Sequence, residues 1–273
     1  MQPASCLFCD KSANPSKTIM IYENYNAIKP LVLKEHGFFN NRFGLFHHDR
    51  IISTPLGSKV KEVKEKGYIY TLTTTPELWT KGISMRTQIL YRADISMIIG
   101  NLNIRPGSIV VEAGTGSASL SISIIRSLLP HGKLFTFEFN PGRAEEAKNE
   151  FIQLGLENNV VSECRDVLEN GFSHAGYTEA DAVFLDLPCP WNAVEKAKEI
   201  LKVEGNLCTF SPCIEQVQKT CQMLRKLDFQ EIKTVETLIR PYQARTNEKG
   251  NLSIQMDAEQ ERLHTGYLTF AIK

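Results

Sequence analysis

The sequence has no long apolar run, no excess of either charge and no cysteine pattern that reads as a disulfide framework. Nowhere does it approach the roughly 18 consecutive apolar residues of a membrane span, so no transmembrane helix is expected. Residues 1–10 lack a basic flank followed by an apolar stretch, so no secretory signal is expected there. Lys plus Arg is 31 and Asp plus Glu is 31, which gives zero net charge. A chain that binds a large nucleic acid by itself usually carries a basic excess. Either the substrate is small, or the basic surface is local, or a partner chain supplies it. The seven cysteines are Cys6, Cys9, Cys164, Cys189, Cys208, Cys213 and Cys221. An odd, scattered set argues for reduced thiols in the cytosol or nucleus. Cys6 and Cys9 form a single C-x-x-C with no second pair or spaced His pair, so no metal site is expected.

What is present divides the chain in two. Short β-type runs recur at Thr18–Tyr22, Ile28–Leu33, Phe43–His47, Lys59–Val63 and Tyr68–Leu72, punctuated by glycines, which suits a small all-β domain over residues 1–75. Residues 1–20 are expected to be flexible within it. Thr73-Thr74-Thr75-Pro76 reads as a linker, because the residue before proline prefers extended backbone. From 76 to 273 strands alternate with helices. Apolar strands are expected at Ser108–Glu112, Lys133–Glu138, Val160–Cys164, Ala182–Leu187 and Asn206–Phe210. Helices fall at Tyr91–Leu102, Leu120–Leu129, Pro141–Leu154, Trp191–Leu201 and Ile214–Lys226. That is a buried parallel sheet of Rossmann-like type. Gln230–Ile239 and Gly266–Ile272 are expected to close it as an antiparallel pair, with Thr246–Gln260 as a mobile loop.

Three motifs carry chemistry. Val111-Glu112-Ala113-Gly114-Thr115-Gly116-Ser117-Ala118-Ser119 leaves a strand and enters a helix. Its glycines allow a tight turn and close approach of a ligand to the backbone. Glu138 ends the next strand, roughly twenty residues on, where a carboxylate accepts hydrogen bonds from ribose hydroxyls. This spacing fits NAD as well as S-adenosylmethionine, and an oxidoreductase stays open at this point. Asp166, after the third strand, suits either an adenine amino group or a helix N-cap.

The deciding motif is Leu185-Asp186-Leu187-Pro188-Cys189-Pro190-Trp191, at the carboxyl end of the fourth strand. Ligands bind at that edge in open α/β sheets. The carboxylate can accept a hydrogen bond from an exocyclic amine, the prolines fix its loop, and Trp191 can wall a flat base. The pattern suits methylation of an amine or ring nitrogen better than hydride transfer. The segment Phe210-Ser211-Pro212-Cys213-Ile214-Glu215-Gln216-Val217 faces the same edge. Cys213 as a nucleophile lacks a sequence-adjacent histidine.

Taken with Arg86-Thr87-Gln88-Ile89-Leu90-Tyr91 and His264-Thr265-Gly266-Tyr267-Leu268-Thr269-Phe270, these motifs resemble the catalytic subunits of eukaryotic tRNA (adenine-N1)-methyltransferases that act at position 58 in the T-loop. The likeness runs from about residue 42 to the end. It implies a class I S-adenosylmethionine-dependent methyltransferase fold behind a small N-terminal β domain. It also implies a heterotetramer of two such chains with two non-catalytic paralogous subunits that share the tRNA surface.

By position it assigns the donor S-adenosyl-L-methionine to Thr87, Gln88, Ile89, Leu90, Tyr91, the run Glu112, Ala113, Gly114, Thr115, Gly116, Ser117, Ala118 and Ser119, and to Glu138, Arg143, Asp166, Val167 and Asp186. Asp186 is the implied catalytic residue. Leu185, Leu187, Pro188, Ser211 and Pro212 are implied on the acceptor side, and Arg42, Phe43, Gly44, Gly67 and Tyr68 where the N-terminal domain meets RNA. Ala118 departs from the family's usual glycine, and its methyl is expected to loosen donor binding slightly. Intact Glu138 and Asp186 argue against a non-catalytic RNA-binding subunit.

Overall fold

The computed structural model describes residues 8, 12–24, 26–83, 88–246, 250–256 and 264–273. Thr87, Cys6 and Cys9 lie outside the described residues.

The N-terminal part runs through β1 (Thr18–Asn24), β2 (Ala27–Val32), β3 (Phe38–Asn41), β4 (Gly44–His47), α1 (His48–Ile52), β5 (Lys59–Lys61), β6 (Tyr68–Thr73) and α2 (Pro76–Gly82). Four strands form an antiparallel sheet in the order β2-β1-β6-β5, and β3 and β4 form a separate hairpin. Ile19, Ile21, Leu33, Phe46, Ile51, Val60 and Ile69 make its core. β1 lacks period-two alternation because both of its faces are covered: Met20 turns toward α2, where a Cβ on Gly82 would meet the Met20 methyl. The five β-runs read from sequence are strands. β3 was hidden by its two asparagines, and α1 is too short to show a helical period. The expected linker at Thr73–Pro76 is instead a packed helix start. Thr75 caps α2 by accepting from the Leu78 N–H at 3.3 Å, with Pro76 in the first turn.

The described chain forms two compact units, one of residues up to Ile89 with Ile104–Asn170, the other of Leu90–Asn103 with Gly171–Lys273. α3 (Arg92–Asn101) belongs to the second. The first continues with β7 (Ile109–Ala113), α4 (Ser119–Leu128), β8 (Lys133–Glu138), α5 (Pro141–Gln153), β9 (Val160–Cys164) and α6 (Val167–Asn170). β8 pairs in parallel with β7 on one side and β9 on the other. It is buried from Leu134 to Glu138, as an apolar strand covered on both faces should be. Within the same unit the Arg126 guanidinium of α4 meets Glu77 of α2 at 2.7 Å, and the Thr18 hydroxyl donates to the Gln153 carbonyl at 3.0 Å.

The second unit contains β10 (Ala180–Leu185), a 3-10 turn (Pro190–Asn192), α7 (Val194–Ile200), β11 (Leu201–Ser211), α8 (Ile214–Lys226), β12 (Gln230–Glu236), β13 (Tyr242–Thr246), β14 (Leu252–Met256) and β15 (Tyr267–Ile272). β10 and β11 are parallel, β15 is antiparallel to β11, and β12 is antiparallel to β15. The expected antiparallel closure is therefore present. Two expectations need correction. Of the mobile loop placed at Thr246–Gln260, Leu252–Met256 form β14, antiparallel to β13 with Tyr242 opposite Met256 and Ala244 opposite Ile254, while residues 247–249 and 257–260 lie outside the described residues. The helix placed from Trp191 starts at Val194, because Pro190 and Trp191 are spent in the 3-10 turn. Among the described residues no helix is long and apolar enough to cross a membrane.

One contact in the N-terminal sheet is sterically exclusive. A Cβ on Gly67 would lie 1.9 Å from the Phe43 carbonyl oxygen, a backbone atom that cannot swing aside. Gly67→Ala is therefore expected to lower stability by about 3 kcal/mol, the upper end of overpacking effects. Denaturant unfolding measures it, and a change below about 0.5 kcal/mol, the scatter of an innocuous surface substitution, would contradict the contact.

Candidate active site

The glycine turn joins β7 to α4. Gly114 has φ +93° and Gly116 φ +53°, left-handed values that glycine adopts without a Cβ clash. Ala118 also sits at φ +57°, fully buried, immediately before α4. Glycine would meet this conformation without strain. Left-handed backbone costs alanine about 1–2 kcal/mol, while burying its methyl returns about 0.8 kcal/mol, so the residue is tolerated.

Beneath the turn lies a buried polar network. Glu112 Oε2 accepts from the Ser121 hydroxyl at 2.7 Å and from the Thr136 hydroxyl at 2.7 Å. A carboxylate only accepts, so the Thr136 proton is committed to it. The 2.6 Å contact between Thr115 and Thr136 must then be donated by Thr115. Glu112 is 1% exposed, so it braces the turn from below. Ser119, at the start of α4, shares a 2.8 Å hydroxyl contact with Thr80 of α2.

Glu138 ends β8 and is 3% exposed. Its Oε2 accepts from the Gly116 N–H at 3.0 Å. Its Oε1 accepts from the Asn140 N–H at 3.0 Å and from Arg143 through Nε at 3.0 Å and Nη2 at 2.6 Å. Asn140 in turn caps α5 by accepting from the Arg143 N–H at 3.0 Å. One carboxylate thus ties the glycine turn to the helix that carries its own counter-ion. The Arg165 N–H donates to the Glu138 carbonyl at 2.9 Å, which sets Asp166 beside this strand end. Asp166 Oδ1 accepts from the Leu168 N–H at 2.8 Å, so one of its oxygens caps α6, and Val167 is buried behind it. The structure brings together the turn, Glu138, Arg143 and Asp166. Ile89 and Leu90 are buried, Gln88 is exposed, and Tyr91 is the half-buried residue preceding α3.

In the second unit, Leu185 is buried at the end of β10 and Asp186 and Leu187 are half-buried after it. Pro188 is exposed. The helix-cap position of the following turn is Cys189, so Asp186 stands outside the helix, as the prolines require. Trp191 is half-buried, with Lys219 Nζ 4.8 Å from its ring centre. Ser211 ends β11, and its hydroxyl is buried with no hydrogen-bond partner among the described residues. Pro212 and Cys213 follow on the surface.

Sequence reasoning passed over Gln216 as a site residue. Its Oε1 accepts from the Cys213 N–H at 3.2 Å and its Nε2 donates to the Pro188 carbonyl at 2.9 Å. One amide therefore links the Asp186 loop to the Ser211 loop. The available signal was its place three residues after a helix cap, obscured because the cap is cysteine rather than serine or threonine.

The N-terminal candidates also come together. Gly67 packs on the Phe43 backbone, and Arg42 stacks on the Phe43 ring at 4.7 Å. Lys59 Nζ lies 3.6 Å from the centre of the Tyr68 ring. Gly44 has φ +125° and packs against Glu62. Among the described residues no three His, Cys, Asp or Glu side chains cluster to hold a metal ion.

Comparison with known proteins agrees with this geometry. A family described as tRNA methyltransferase complex GCD14 subunit matches residues 67–263. The tRNA (adenine(58)-N(1))-methyltransferase catalytic subunit of Dictyostelium discoideum is 42% identical over 88% of this chain and 80% of its own length. The protein of the same name from Candida albicans is 42% identical over 83% of this chain and 68% of its own. Among solved structures, a SAM-dependent O-methyltransferase from Thermotoga maritima superposes with TM-score 0.82 at 26% identity, covering 96% of this chain and 95% of that one. A tRNA (m1A58) methyltransferase from Aquifex aeolicus, at 24% identity, shares the fold with TM-score 0.74, covering 96% of this chain and 98% of that one.

The network under the turn yields a stability test. Thr136→Val keeps the volume but removes the donor to a buried carboxylate, so unfolding free energy should fall by about 1.5–3 kcal/mol. A urea midpoint indistinguishable from the parent would show that Glu112 does not depend on that hydroxyl.

Proposed function

The chain belongs to the tRNA methyltransferase complex GCD14 subunit family, and on that premise we propose that it methylates N1 of adenine 58 in the T-loop of tRNA, using S-adenosyl-L-methionine. The observation that carries the reading is the aspartate that follows β10 directly, Asp186, on a proline-bearing loop that Gln216 holds through the Pro188 carbonyl.

The residues suit the donor. Each carboxylate oxygen can accept twice, and Glu138 Oε2 accepts from the Gly116 N–H, so a second lone pair can serve a sugar hydroxyl. The glycine turn, Glu138, Arg143 and Asp166 would hold the donor, with Gln88 and Ile89. Bound there, S-adenosylmethionine supplies a methyl on a positively charged sulfur, an electrophile that a neutral ring nitrogen can meet without a strong base. The chain's own residues supply position and charge. The adenine ring nitrogen has an in-plane lone pair at neutral pH, and methylation makes the ring cationic. Asp186 accepts from the exocyclic amine, orients the base and stabilises the developing positive charge. Gln216 holds the Pro188 carbonyl, which keeps the loop that carries Asp186 in place. The base leaves the folded T-loop to reach this position.

The finer reading follows the same line. The protein acts in the nucleus as the catalytic half of a heterotetramer with a non-catalytic paralogous subunit. Equal numbers of basic and acidic residues, 31 of each, support a partner that carries much of the basic tRNA surface. Residues 1–75 form a small domain that contributes Arg42, Phe43, Gly44, Gly67 and Tyr68 to RNA contact. Relatives carry the description catalytic subunit, which accords with this division of labour.

Asp186→Ala should retain donor binding and lose about a hundredfold or more in methylation rate, read as N1-methyladenosine by nucleoside mass spectrometry. Wild-type rate in a folded, donor-bound variant would refute the role. Glu138→Gln, in contrast, should weaken S-adenosylmethionine binding by about tenfold, roughly one lost charge-assisted hydrogen bond, as followed by titration calorimetry.

A further inference from the structure

β15 is entered through His264, Thr265 and Gly266, and each is anchored within the second unit. The Thr265 hydroxyl donates to Asp94 Oδ1 of α3 at 3.1 Å, and the Thr237 hydroxyl donates to the same oxygen. Asp94 is fully buried. Gly266, at φ +148°, packs so closely that a Cβ would lie 2.4 Å from the Phe210 ring and 3.2 Å from the Ser211 carbonyl oxygen. The segment is thus fixed against α3 and against the end of β11.

From this fixed position the His264 ring reaches two acceptors. Nδ1 lies 2.5 Å from Glu236 Oε1 at the end of β12, and Nε2 lies 3.4 Å from the Pro212 carbonyl oxygen. Neither oxygen can donate. A neutral imidazole carries one N–H and would turn a lone pair on one of them, whereas an imidazolium satisfies both. The titratable groups facing the ring are Glu236 from β12, Asp94 from α3 and the Tyr267 phenol from β15, whose ring centre is 5.1 Å away. Hydrogen bonding to Glu236, then to Pro212, raises the His264 pKa above its usual 6.5, against a smaller opposing effect of desolvation. The sign follows: the cation is present below this raised value and is lost as pH climbs through it.

We propose that His264, as an imidazolium, is a positioning residue for the acceptor loop, tying the Pro212 carbonyl to Glu236 so that Ser211 and Pro212 are held where the adenine enters. This rests on the reading above that those two residues line the acceptor side. The ring also supplies what Gln216 does not. Gln216 fixes the Cys213 N–H on one side of Pro212, and His264 fixes the Pro212 carbonyl itself. The His264 side chain is 44% exposed and that of Glu236 35%, so the ion pair contributes little to global stability and its removal should leave the fold intact.

The test uses the full chain in the complex that methylates tRNA, with His264→Ala and Glu236→Gln. Hydrogen–deuterium exchange should show amides of residues 213–217 exchanging about tenfold faster in His264→Ala, with other segments unchanged. kcat/KM for tRNA should fall by about tenfold while S-adenosylmethionine affinity is unchanged. The wild-type profile should decline on the alkaline side, the decline should be absent in His264→Ala, and it should move to lower pH in Glu236→Gln. Unchanged exchange at 213–217 would overturn the proposal, as would an alkaline limb that persists in His264→Ala. A parallel loss of melting temperature and donor affinity would mark the residue as merely structural and overturn it too. If the wild-type complex forms no N1-methyladenosine, the substrate reading fails, and the exchange measurement alone decides whether His264 holds this loop.

Discussion

The buried carboxylate of Glu138 is the constraint on which the glycine turn and the start of α5 depend. It accepts from the Gly116 N–H with one oxygen and from Asn140 and Arg143 with the other. A charge 3% exposed is stable only when it is paired and hydrogen-bonded, and here both conditions are met by groups on different elements. The consequence is geometric. The glycine turn cannot relax away from β8 without taking the Gly116 N–H from the Oε2 of that buried carboxylate. Glu112 does the complementary work from below, where Ser121 and Thr136 fill its accepting side. The turn is therefore held from two directions before any ligand arrives, which is what preorganisation requires.

Much of this was legible in the sequence, for identifiable reasons. The apolar runs of β7 and β8 stand out because both sheet faces are covered. Gly114, Gly116 and Glu138 follow from the spacing a nucleotide-type turn imposes. Asp186 is conspicuous because prolines on its carboxyl side exclude a capping role. The hidden parts are those set by tertiary contact. Nothing local marks Gln216 as the bridge to Pro188, since its partner lies on another loop. His264 was visible as part of a motif, but its bonds to Glu236 and Pro212 join segments far apart in sequence. The β13–β14 hairpin was missed because Arg245, Thr246 and Gln255 give it a loop-like composition, while Leu252, Ile254 and Met256 fall in alternation only within the strand itself. Ala118 shows the converse. The sequence marks it as a departure from glycine, and the structure supplies the reason, a left-handed backbone.

In the second unit, side chains hold the Asp186 loop and the Ser211 loop. Gln216 spans from Cys213 to Pro188, and His264 reaches Pro212 from a segment locked onto Asp94. In the proposed reaction an aspartate held this way need not remove a proton, because the ring nitrogen is already nucleophilic, and its part is to stabilise the cationic ring that forms. The balance of charges across the chain, 31 basic and 31 acidic residues, accords with the proposed division of labour between this chain and a partner.

The most direct measurement is the position of the product. Unmodified tRNA is incubated with S-adenosylmethionine and this chain, with and without its partner subunit, and the methylated nucleoside is mapped by mass spectrometry of ribonuclease fragments. The account predicts N1-methyladenosine at position 58, formed only when both chains are present. Methylation of another atom or another position, or no methylation by the complete complex, would contradict it.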